Sequence, residues 1–360
     1  MPRDFAGATA VQLAETLQAI ERVQLADGSI PWYRGGHLDP WDMVEAAMGL
    51  DAGGSHRAAE AAYRWLIARQ RTDGAWESSY VDGVVQDPSL DANFSSYFAT
   101  GAWHHFRATG DIDFLAACWP AIDRAMGFVL RLQLPGGAIS WARDGRYRPW
   151  PGGLLTSSAC IYLSIGCALE AAAELGHERL EWELARSAVG NAVDRGYSDP
   201  FIEPKETFSM DWYYPVLSGV LTGFAARERV EEQWDEFVIP GRGARCVSDR
   251  PWVTAGETAE LVLSLEVSGM RAEAESLFEW VQHLRTESGD YWTGATWPED
   301  VVWPRETTTW GAGAILLAAD ALVGGSPTSS FFHPTAIRSS TRSEPVLETS
   351  ENAPDSTARR

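Results

Sequence analysis

Two carboxylate side chains, Asp42 and Glu257, interrupt segments that are otherwise suited to burial. The residues after Asp42 read MVEAAMGL, and the residues after Glu257 read TAELVLSL. Both patterns are typical of buried helices, where an ionised side chain costs free energy unless it is paired, hydrogen-bonded or hydrated. We therefore expect both carboxylates to face a water-filled cavity and to have a catalytic role.

Two carboxyl groups in one cavity can perform glycoside hydrolysis. One group, protonated, donates to the leaving oxygen, while the other, ionised, activates water or attacks the sugar directly. Asp42 lies in the first and Glu257 in the fifth of the six apolar helices assigned below, so the two would face each other across the cavity. This placement favours a wide separation with room for water, and hence inversion. The acid and base roles stay exchangeable here, because helix termini lower both pKa values and burial raises both.

Polar residues also stand at the predicted starts of the apolar helices. Capping explains Asp39, Asp91 and Asp211, because oxygen-bearing side chains are preferred before a helix and acidic groups favour its first turn. Asp39 can in addition bind a sugar hydroxyl. Glu45 lies one turn beyond Asp42 on the same face, where it would support that carboxyl from behind.

The sequence contains 17 Trp residues, many of them beside Gly, Pro and Asp in predicted loops. A single Trp more often packs in a core, but a set of this size also fits platforms on which sugar rings stack. An oligosaccharide or polysaccharide is the substrate that such a cleft would bind. The candidate substrate-binding residues are His37, Asp39, Trp32, Tyr33, Trp76, Asp91, Trp150, Asp211, Trp212, Trp252, Trp297, Glu306 and Trp310.

Two sets of helices alternate along the chain. The amphipathic set covers residues 8–23, 56–70, 112–132, 177–194, 227–237 and 270–285. The apolar set covers residues 39–52, 91–108, 155–175, 211–226, 256–268 and 306–322. Helices that are apolar all round must be buried on every side, so six of them backed by six amphipathic partners predict a closed double ring. The predicted fold is all-α, an (α/α)6 toroid of six helical hairpins in one catalytic domain over residues 1–325.

Residues 326–360 differ in composition from the rest of the chain. They are rich in Ser, Thr, Pro and charge and lack helical periodicity, which predicts a disordered C-terminal tail. The N-terminus lacks the apolar region of a signal peptide, and no run of 18 apolar residues suggests a membrane span. We expect a cytoplasmic protein that does not act at a membrane.

The charge and the cysteines bear on partners and cofactors. The formal net charge is −21, which disfavours nucleic acid because phosphates require clustered Lys and Arg. It also disfavours an acidic polymer as the substrate of a lyase. The four Cys residues show no metal-ligand spacing, so we expect neither a metal ion nor another cofactor.

One turn recurs along the chain, as QLADGSIPW from Gln24, QRTDGAW from Gln70, QLPGGAISW from Gln133 and, more loosely, RTESGDYW from Arg285. In each copy Gly supplies a left-handed turn after a helix end. The turn resembles the QW motif of triterpene cyclases, Gln-x-x-Asp-Gly-x-Trp. The sequence has neither the DxDD acid of those cyclases nor the zinc ligands of protein prenyltransferases, so we interpret the turn as a structural device that closes helical hairpins.

The segments HLDPWDMVEAAMGL and AGETAELVLSL resemble the six-hairpin glycosidases and, more narrowly, the mycobacterial methylmannose polysaccharide hydrolases. The order of Asp42 and Glu257 is that of the acid and base in several clans of this architecture. The resemblance implies an endo-acting α-mannosidase that cuts 3-O-methylmannose polysaccharides without a metal, with Asp42 as acid and Glu257 as base. It would also explain an aromatic cleft, because methyl ethers add apolar surface that Trp can cover.

Three other functions remain open on the sequence alone. A terpene cyclase or prenyltransferase-like enzyme would share the recurring turn. A sugar epimerase of the same architecture would use His as acid and base, and only His37 lies at a loop mouth. A non-catalytic glycan-binding toroid would tolerate the loss of Asp42 and Glu257, whereas a hydrolase would not.

Overall fold

The computed structural model describes residues 7–144, 146 and 148–333. Within that part of the chain, twelve α-helices account for most of the structure. They are α1 (Ala10–Val23), α2 (Pro40–Ala52), α3 (His56–Arg69), α4 (Ala92–Thr109), α5 (Ile112–Leu130), α6 (Leu155–Glu174), α7 (Leu180–Arg195), α8 (Ser209–Leu217), α9 (Gly223–Phe237), α10 (Ala255–Ser268), α11 (Arg271–Val281) and α12 (Thr309–Val323).

The even-numbered helices form the inner set and the odd-numbered helices the outer set. Inner helices such as α2, α10 and α12 are buried along nearly their whole length, whereas outer helices such as α1 and α3 bury one face. Each inner helix contacts the next inner helix, and α12 returns to contact α2. The helical pairs predicted from the sequence are therefore present. Contacts between consecutive inner helices form an unbroken series from α2 to α12 and back to α2.

Two helix boundaries differ from the prediction. The fourth inner helix, predicted over 211–226, is α8 and ends at Leu217. Gly219 then takes a φ of 77°, and the chain turns into α9, which begins at Gly223 rather than at 227. The sixth inner helix begins at Thr309, so Glu306 lies in the preceding loop and not in a first turn.

Three copies of the recurring turn each join one hairpin to the next outer helix. The side-chain amide of Gln24 donates to the carbonyl of Gly28 in its own turn and to that of Ala58 in α3, both at 2.9 Å. The same pair of bonds recurs from Gln70 to Gly74 and Ala121, and from Gln133 to Gly137 and Ala185. The turn thus links neighbouring hairpins, which refines the prediction that it closes single ones.

The fourth copy of the turn connects the last outer helix to the first. Arg285 stands in the position of the glutamine, and its guanidinium reaches α1, where it donates to Glu15 at 2.5 Å. Gly289 in this copy lies against the backbone of Glu15, because a Cβ atom at Gly289 would be 2.6 Å from the carbonyl carbon of Glu15. A side chain at Gly289 would therefore push α1 away.

Two glycines allow the first and last inner helices to approach closely. A Cβ atom at Gly49 of α2 would lie 2.5 Å from Cα of Gly313 in α12. A Cβ at Gly313 would lie 2.7 Å from the carbonyl oxygen of Glu45. Because both near neighbours are backbone atoms, neither can move aside without shifting a helix.

We expect Gly313→Ala to lower the free energy of unfolding by about 1–3 kcal/mol, the usual cost of overpacking. The matched control is Gly127→Ala in α5, where the nearest atom to an added Cβ is Nη1 of Arg131 at 3.5 Å. That variant should gain roughly 0.5–1 kcal/mol, because Ala is the better helix former. Urea unfolding monitored by circular dichroism measures both, and equal stability of the two variants would contradict the close approach.

Short strands occupy the loops between the helices. They form five two-stranded sheets within the described residues. The strands are β1 (Ser79–Val81), β2 (Val84–Asp87), β3 (Leu90–Asp91), β4 (Ala142–Arg143), β5 (Gly153–Leu154), β6 (Ile202–Glu203), β7 (Val238–Ile239), β8 (Gly243–Ala244), β9 (Trp252–Thr254) and β10 (Gly294–Thr296). Strands β3, β5 and β9 lead directly into α4, α6 and α10, so they fix where those inner helices begin.

The start of the predicted tail is packed rather than disordered. Thr328 donates to the Asp320 carboxylate of α12 at 2.8 Å, and Phe331 and Phe332 are buried. The ring of Phe331 lies 4.8 Å from that of His104 in α4. Two apolar side chains thus dock residues 326–333 on the body, while the rest of the predicted tail, 334–360, lies outside the described residues.

One described helix, Leu155–Glu174, is long and apolar enough to cross a membrane by length and composition. However, 78% of its apolar window is buried inside the protein. The burial of α6 between α4, α7 and α8 accounts for its composition.

Candidate active site

The N-terminal parts of the inner helices lie side by side. Hydrogen bonds join neighbouring helices there, from Tyr97 of α4 to Glu45 of α2, from Thr156 of α6 to Asp211 of α8, and from Tyr213 of α8 to Glu260 of α10. The start of α12 is tied to the first loop, because Thr309 donates to the carbonyl of Pro31 at 2.8 Å. Side chains from the N-terminal parts of the inner helices are therefore brought together.

Asp39 and Asp91 cap their own helices, as predicted. Asp39 Oδ1 accepts from the backbone N–H of Asp42 at 2.9 Å, and its Oδ2 accepts from Trp32 Nε1 at 3.0 Å. Asp91 Oδ1 accepts from the backbone N–H groups of Asn93 and Phe94 at 2.7 and 3.1 Å. Both oxygens of Asp39 are thus engaged within the protein.

Asp211 caps a neighbouring helix instead of its own, which corrects the prediction. Its Oδ1 accepts from the backbone N–H of Thr156 at 2.9 Å and from the hydroxyl of the same residue. Its Oδ2 accepts from Tyr197 at 2.8 Å. The residue before α6 is Leu154, which has no side-chain oxygen to offer, so Asp211 of α8 satisfies the start of α6.

Two carboxylate pairs at i, i+3 spacing form the centre of the site. Asp42 and Glu45 lie on one face of α2, and Glu257 and Glu260 on one face of α10. All four side chains are buried. Among the described residues, none of the four is ion-paired with Lys, Arg or His.

The four carboxyls differ in their hydrogen-bond donors. Glu260 accepts from the hydroxyls of both Tyr213 and Tyr214. Glu45 accepts from one hydroxyl, that of Tyr97, at 2.6 Å. Burial and then the charge of Glu257 raise the pKa of the Cys246 thiol. Within the described residues no tyrosine is hydrogen-bonded to Asp42, and the neighbouring carboxyl of Asp39 accepts from the Asp42 backbone N–H.

Burial and like charge act on these groups together. Burial, followed by the carboxylates of Asp39, Glu260 and Glu45, raises the pKa of Asp42 well above its ordinary value. Burial also raises the pKa of Glu45 to about 7, against the opposing effect of the Tyr97 hydrogen bond. A buried carboxyl that stays protonated near neutral pH can donate a proton.

Trp310 packs beside the second carboxylate pair. Its indole covers Gly256, where an added Cβ would lie 2.1 Å from Cζ3 of the ring. The rings of Trp41 and Trp32 lie 6.3 and 6.5 Å from that of Trp310. An aromatic cluster therefore adjoins Glu257, the residue that follows Gly256.

An aromatic rim, made of Trp252, Trp297 and Trp303, lies above the start of α10. Trp252 Nε1 donates to the carbonyl of Trp303 at 2.6 Å, and their rings are 5.2 Å apart. Trp303 is 59% exposed and Trp297 36% exposed. The Arg242 guanidinium lies 4.8 Å from the Trp297 ring. The rim thus presents apolar surface to solvent at the end where Glu257 lies.

Other predicted residues are more dispersed. Trp150 is exposed near the start of α6 and donates to Glu203 at 2.7 Å. The ring of His37 lies 4.4 Å from that of Trp32 in the first loop, which also contains the half-buried Tyr33. The half-buried Glu306 accepts through its backbone carbonyl from Thr293.

Two predicted sugar platforms are core residues. Trp76 is fully buried and donates to the carbonyl of Leu66 at 2.8 Å. Trp212 is buried, stacks on Phe237 at 5.1 Å and donates to the carbonyl of Arg229. With their rings enclosed and their N–H groups satisfied, neither can contact a sugar, and the prediction for both was wrong.

The sequence interpretation did not assign roles to Glu260, Tyr97 and Tyr214. Glu260 carries a signal that could have found it, because it repeats on α10 the spacing of Glu45 behind Asp42. The two tyrosines carry no such signal in the sequence, because their role depends on which helices are neighbours.

Comparison with known proteins shows which proteins share this fold. No protein-family model matches the chain. A wild-type glycosidase structure superposes with a TM-score of 0.62 at 17% identity, covering 88% of this chain and 99% of the other. A GH63 mannosylglycerate hydrolase from Thermus thermophilus, in complex with glucose, gives 0.65 at 11% identity, covering 86% and 99%. A D-mannose isomerase gives 0.65 at 7% identity, covering 86% and 95%.

These likenesses establish the fold, and the chain is a glycoside hydrolase of the helical-hairpin class. The MMP endo-(1,4)-3-O-methyl-alpha-D-mannosidase of Mycolicibacterium hassiacum is 46% identical over 326 residues, which is 90% of this chain and 89% of the relative. The chain belongs to the family of that mannosidase. The resemblance noted in the sequence is thereby confirmed.

Proposed function

We propose that the protein is an endo-acting α-mannosidase that hydrolyses (1,4) linkages in a 3-O-methylated mannose polysaccharide. The observation that carries the proposal is the 46% identity over 326 residues to an enzyme named for that activity. We also propose that the twelve helices form the (α/α)6 toroid, as one catalytic domain over residues 1–325. The unbroken run of inner-helix contacts from α2 to α12 and back supports it.

In this proposal Asp42 is the general acid and Glu257 the general base. The raised pKa of Asp42 supports the first role, because the acid must hold its proton until the leaving oxygen takes it. Glu257, on inner helix α10, would remove a proton from the attacking water. Placement on α2 and α10, which α12 separates in the inner set, favours the wider separation of an inverting enzyme.

The proposed substrate contacts combine exposed and half-buried side chains with the buried Trp310, Asp39 and Asp211 beside them. The aromatic rim would contact the polysaccharide near Glu257. Trp150, near the start of α6, would contact another part of the polysaccharide. Trp310, Trp32, Tyr33 and His37 would line the approach to Asp42, with Asp39, Asp91, Asp211 and Glu306 as polar neighbours. We propose a cytoplasmic location for the protein, with no nucleic-acid partner.

The aromatic rim should favour methylated sugars. We expect Trp303→Ala to lower the ratio of kcat/KM on methylated to unmethylated mannan about fourfold for each methyl group that the ring covers, since each is worth about 0.8 kcal/mol. The matched control is Phe224→Ala, an aromatic side chain 78% exposed at the start of outer helix α9. A ratio that changes equally in both variants would contradict a specific role for the rim.

A substrate panel tests the function. The protein is incubated separately with methylated (1,4)-α-mannan, unmethylated mannan, an α-glucan, mannose and a prenyl diphosphate, and the products are read by mass spectrometry and sugar chromatography. We expect oligosaccharides from methylated mannan in preference to the other polymers. Products from prenyl diphosphate alone, or an altered monosaccharide alone, would replace the proposal by a cyclase-like or an isomerase activity.

A further inference from the structure

The aromatic rim is built from two loops that one arginine ties together. Arg242 lies in the turn between β7 and β8, in the connection from α9 to α10. Its side chain crosses to the connection between β10 and α12, where Nη1 donates to Asp300 Oδ1 at 2.9 Å. The same guanidinium lies over the Trp297 ring, 4.8 Å from the ring centre. Arg242 therefore covers one face of this indole and links the two loops.

The backbone on which the rim stands is also fixed by hydrogen bonds. The N–H of Trp297 donates to the carbonyl of Pro251 at 2.7 Å, and the N–H of Trp303 donates to the carbonyl of Gly294 at 3.0 Å. The indole of Trp252 donates in turn to the carbonyl of Trp303. Side chains that are held in place before binding lose little conformational entropy when a ligand arrives. The rim is therefore pre-formed.

Much of this pre-formed surface stays open to solvent. Trp303 is 59% exposed, Val301 56% and Trp297 36%. Exposed aromatic groups that the surrounding loops hold in place are typical of a binding surface. The C–H face of a sugar ring and the methyl group of a sugar ether are apolar groups that can stack on an indole. A methylated sugar chain therefore fits the rim.

The pairing of β9 with β10 determines how far the rim lies from Glu257. Thr254, the residue before α10, pairs with Gly294. Further out, Trp297 is bonded to Pro251, which stands four residues before the start of α10. An extended chain advances about 3.3 Å per residue, so Pro251 and Trp297 lie about 13 Å along the strand from that start. One sugar ring cannot span this distance, and the rim must contact sugars beyond the cleaved bond.

We propose that Trp297 and Trp303 form a remote subsite for the methylated polysaccharide, and that Arg242 is the positioning residue that keeps this subsite formed. The inference rests on the proposed function and deepens it, because the subsite binds sugars other than the two that the cleaved bond joins. Chains that reach the rim gain binding, and shorter chains do not. The subsite thereby directs cleavage to internal bonds, since a cut close to the chain end on this side leaves the rim empty.

The test is the dependence of kcat/KM on chain length, measured with 3-O-methylated (1,4)-α-mannan oligosaccharides that increase by one sugar at a time. For the wild type we expect kcat/KM to rise in a step at the first length that reaches the rim. Trp297→Ala should lower kcat/KM about tenfold above that length, through KM, and leave shorter chains unchanged. Arg242→Ala should lower it about threefold to fivefold over the same lengths, because the indole must then be ordered during binding.

Arg64→Ala is the matched control for the arginine. The Arg64 side chain likewise combines an ion pair, with Glu60, and a position over an aromatic ring, that of Phe114. It lies on outer helix α3 and contacts the first turn of α5, which follows the C-terminal end of inner helix α4. Arg64→Ala should leave the length dependence unchanged. An equal loss at every chain length in Arg242→Ala, or the same change in Arg64→Ala, would show a merely structural role and overturn the proposal.

Binding separates a failure of the subsite from a failure of the proposed function. Isothermal titration calorimetry uses a long methylated oligosaccharide and Asp42→Asn, with and without Trp297→Ala, which should weaken the affinity about tenfold. If the wild type cleaves no methylated mannan but this difference is found, the proposed function fails and the subsite stands. If the wild type cleaves it and Trp297→Ala changes neither affinity nor length dependence, the subsite alone fails. A changed oligomeric state of Trp297→Ala, seen by light scattering, would assign the rim to contact between copies and overturn the proposal.

Discussion

Asp42→Asn should lower kcat/KM on methylated mannan by about a thousandfold, within the range for loss of a general acid. The amide has nearly the shape of the carboxyl and can retain its place in the first turn of α2, but it has no proton to give. The leaving sugar must then depart as an alkoxide, which is the source of the loss. Initial rates of reducing-end formation measure the effect.

A substrate with a better leaving group separates this chemical role from misfolding. On a methylmannoside of dinitrophenol, whose leaving group needs little protonation, Asp42→Asn should lose much less activity, about tenfold or below. Asp113→Asn is the matched control, since Asp113 is an exposed acid in the first turn of α5. Equal losses by Asp42→Asn on both substrates would remove Asp42 from the role of acid.

Glu257→Gln should lower hydrolysis of both substrates by about a thousandfold or more. The attacking water must lose its proton whichever group leaves, and a glutamine cannot accept that proton. The contrast between the two variants on the activated substrate is therefore the signature that tells acid from base. The same initial-rate measurements supply it.

Glu273→Gln controls for the substitution itself, because Glu273 is an exposed first-turn acid of α11. We expect it to behave as the wild type. If Glu257→Gln kept activity on the activated substrate while Asp42→Asn lost it, the two roles would be exchanged. If both variants retained hydrolysis of the polysaccharide, the site would lie elsewhere.

The sequence was sufficient to predict the inner helices and to single out Asp42 and Glu257 as acids within buried segments. The reason is local: an acid among MVEAAMGL or TAELVLSL contradicts the burial that its neighbours require. The cap at Asp39 was predictable on the same local grounds, because Asp followed by Pro commonly precedes a helix. The structure places this residue as expected.

What the sequence could not supply depends on contacts between distant helices. Asp211 could be recognised as a capping residue, but only the α6–α8 contact reveals that it caps α6. Trp76 and Trp212 occupy loop-like or first-turn contexts like those of Trp252, and their burial follows from neighbours up to dozens of residues away. The tyrosine pair around Glu260 likewise exists only once α8 lies against α10.

The recurring turn shows how a motif can suggest the wrong chemistry. Its Gln–Gly–Trp pattern resembles that of cyclases, yet the Gln70 side chain donates to backbone carbonyls of its own turn and of α5 and accepts from Arg124 of α5. The same physical need, fastening one helical hairpin to the next, arises in any ring of such hairpins. The motif therefore indicates the architecture, and the reaction must be inferred from other residues, those in the first turns of the inner helices.

The most direct test of the whole account is the product of the wild-type protein acting on methylated (1,4)-α-mannan in water enriched in heavy oxygen. Mass spectrometry over time should show internal fragments of several lengths, each carrying one heavy oxygen at its new reducing end, and Asp42→Asn should show none on that timescale. Fragments lacking the elements of water, release of single sugars only, or an uncut polymer would contradict an endo-acting hydrolase.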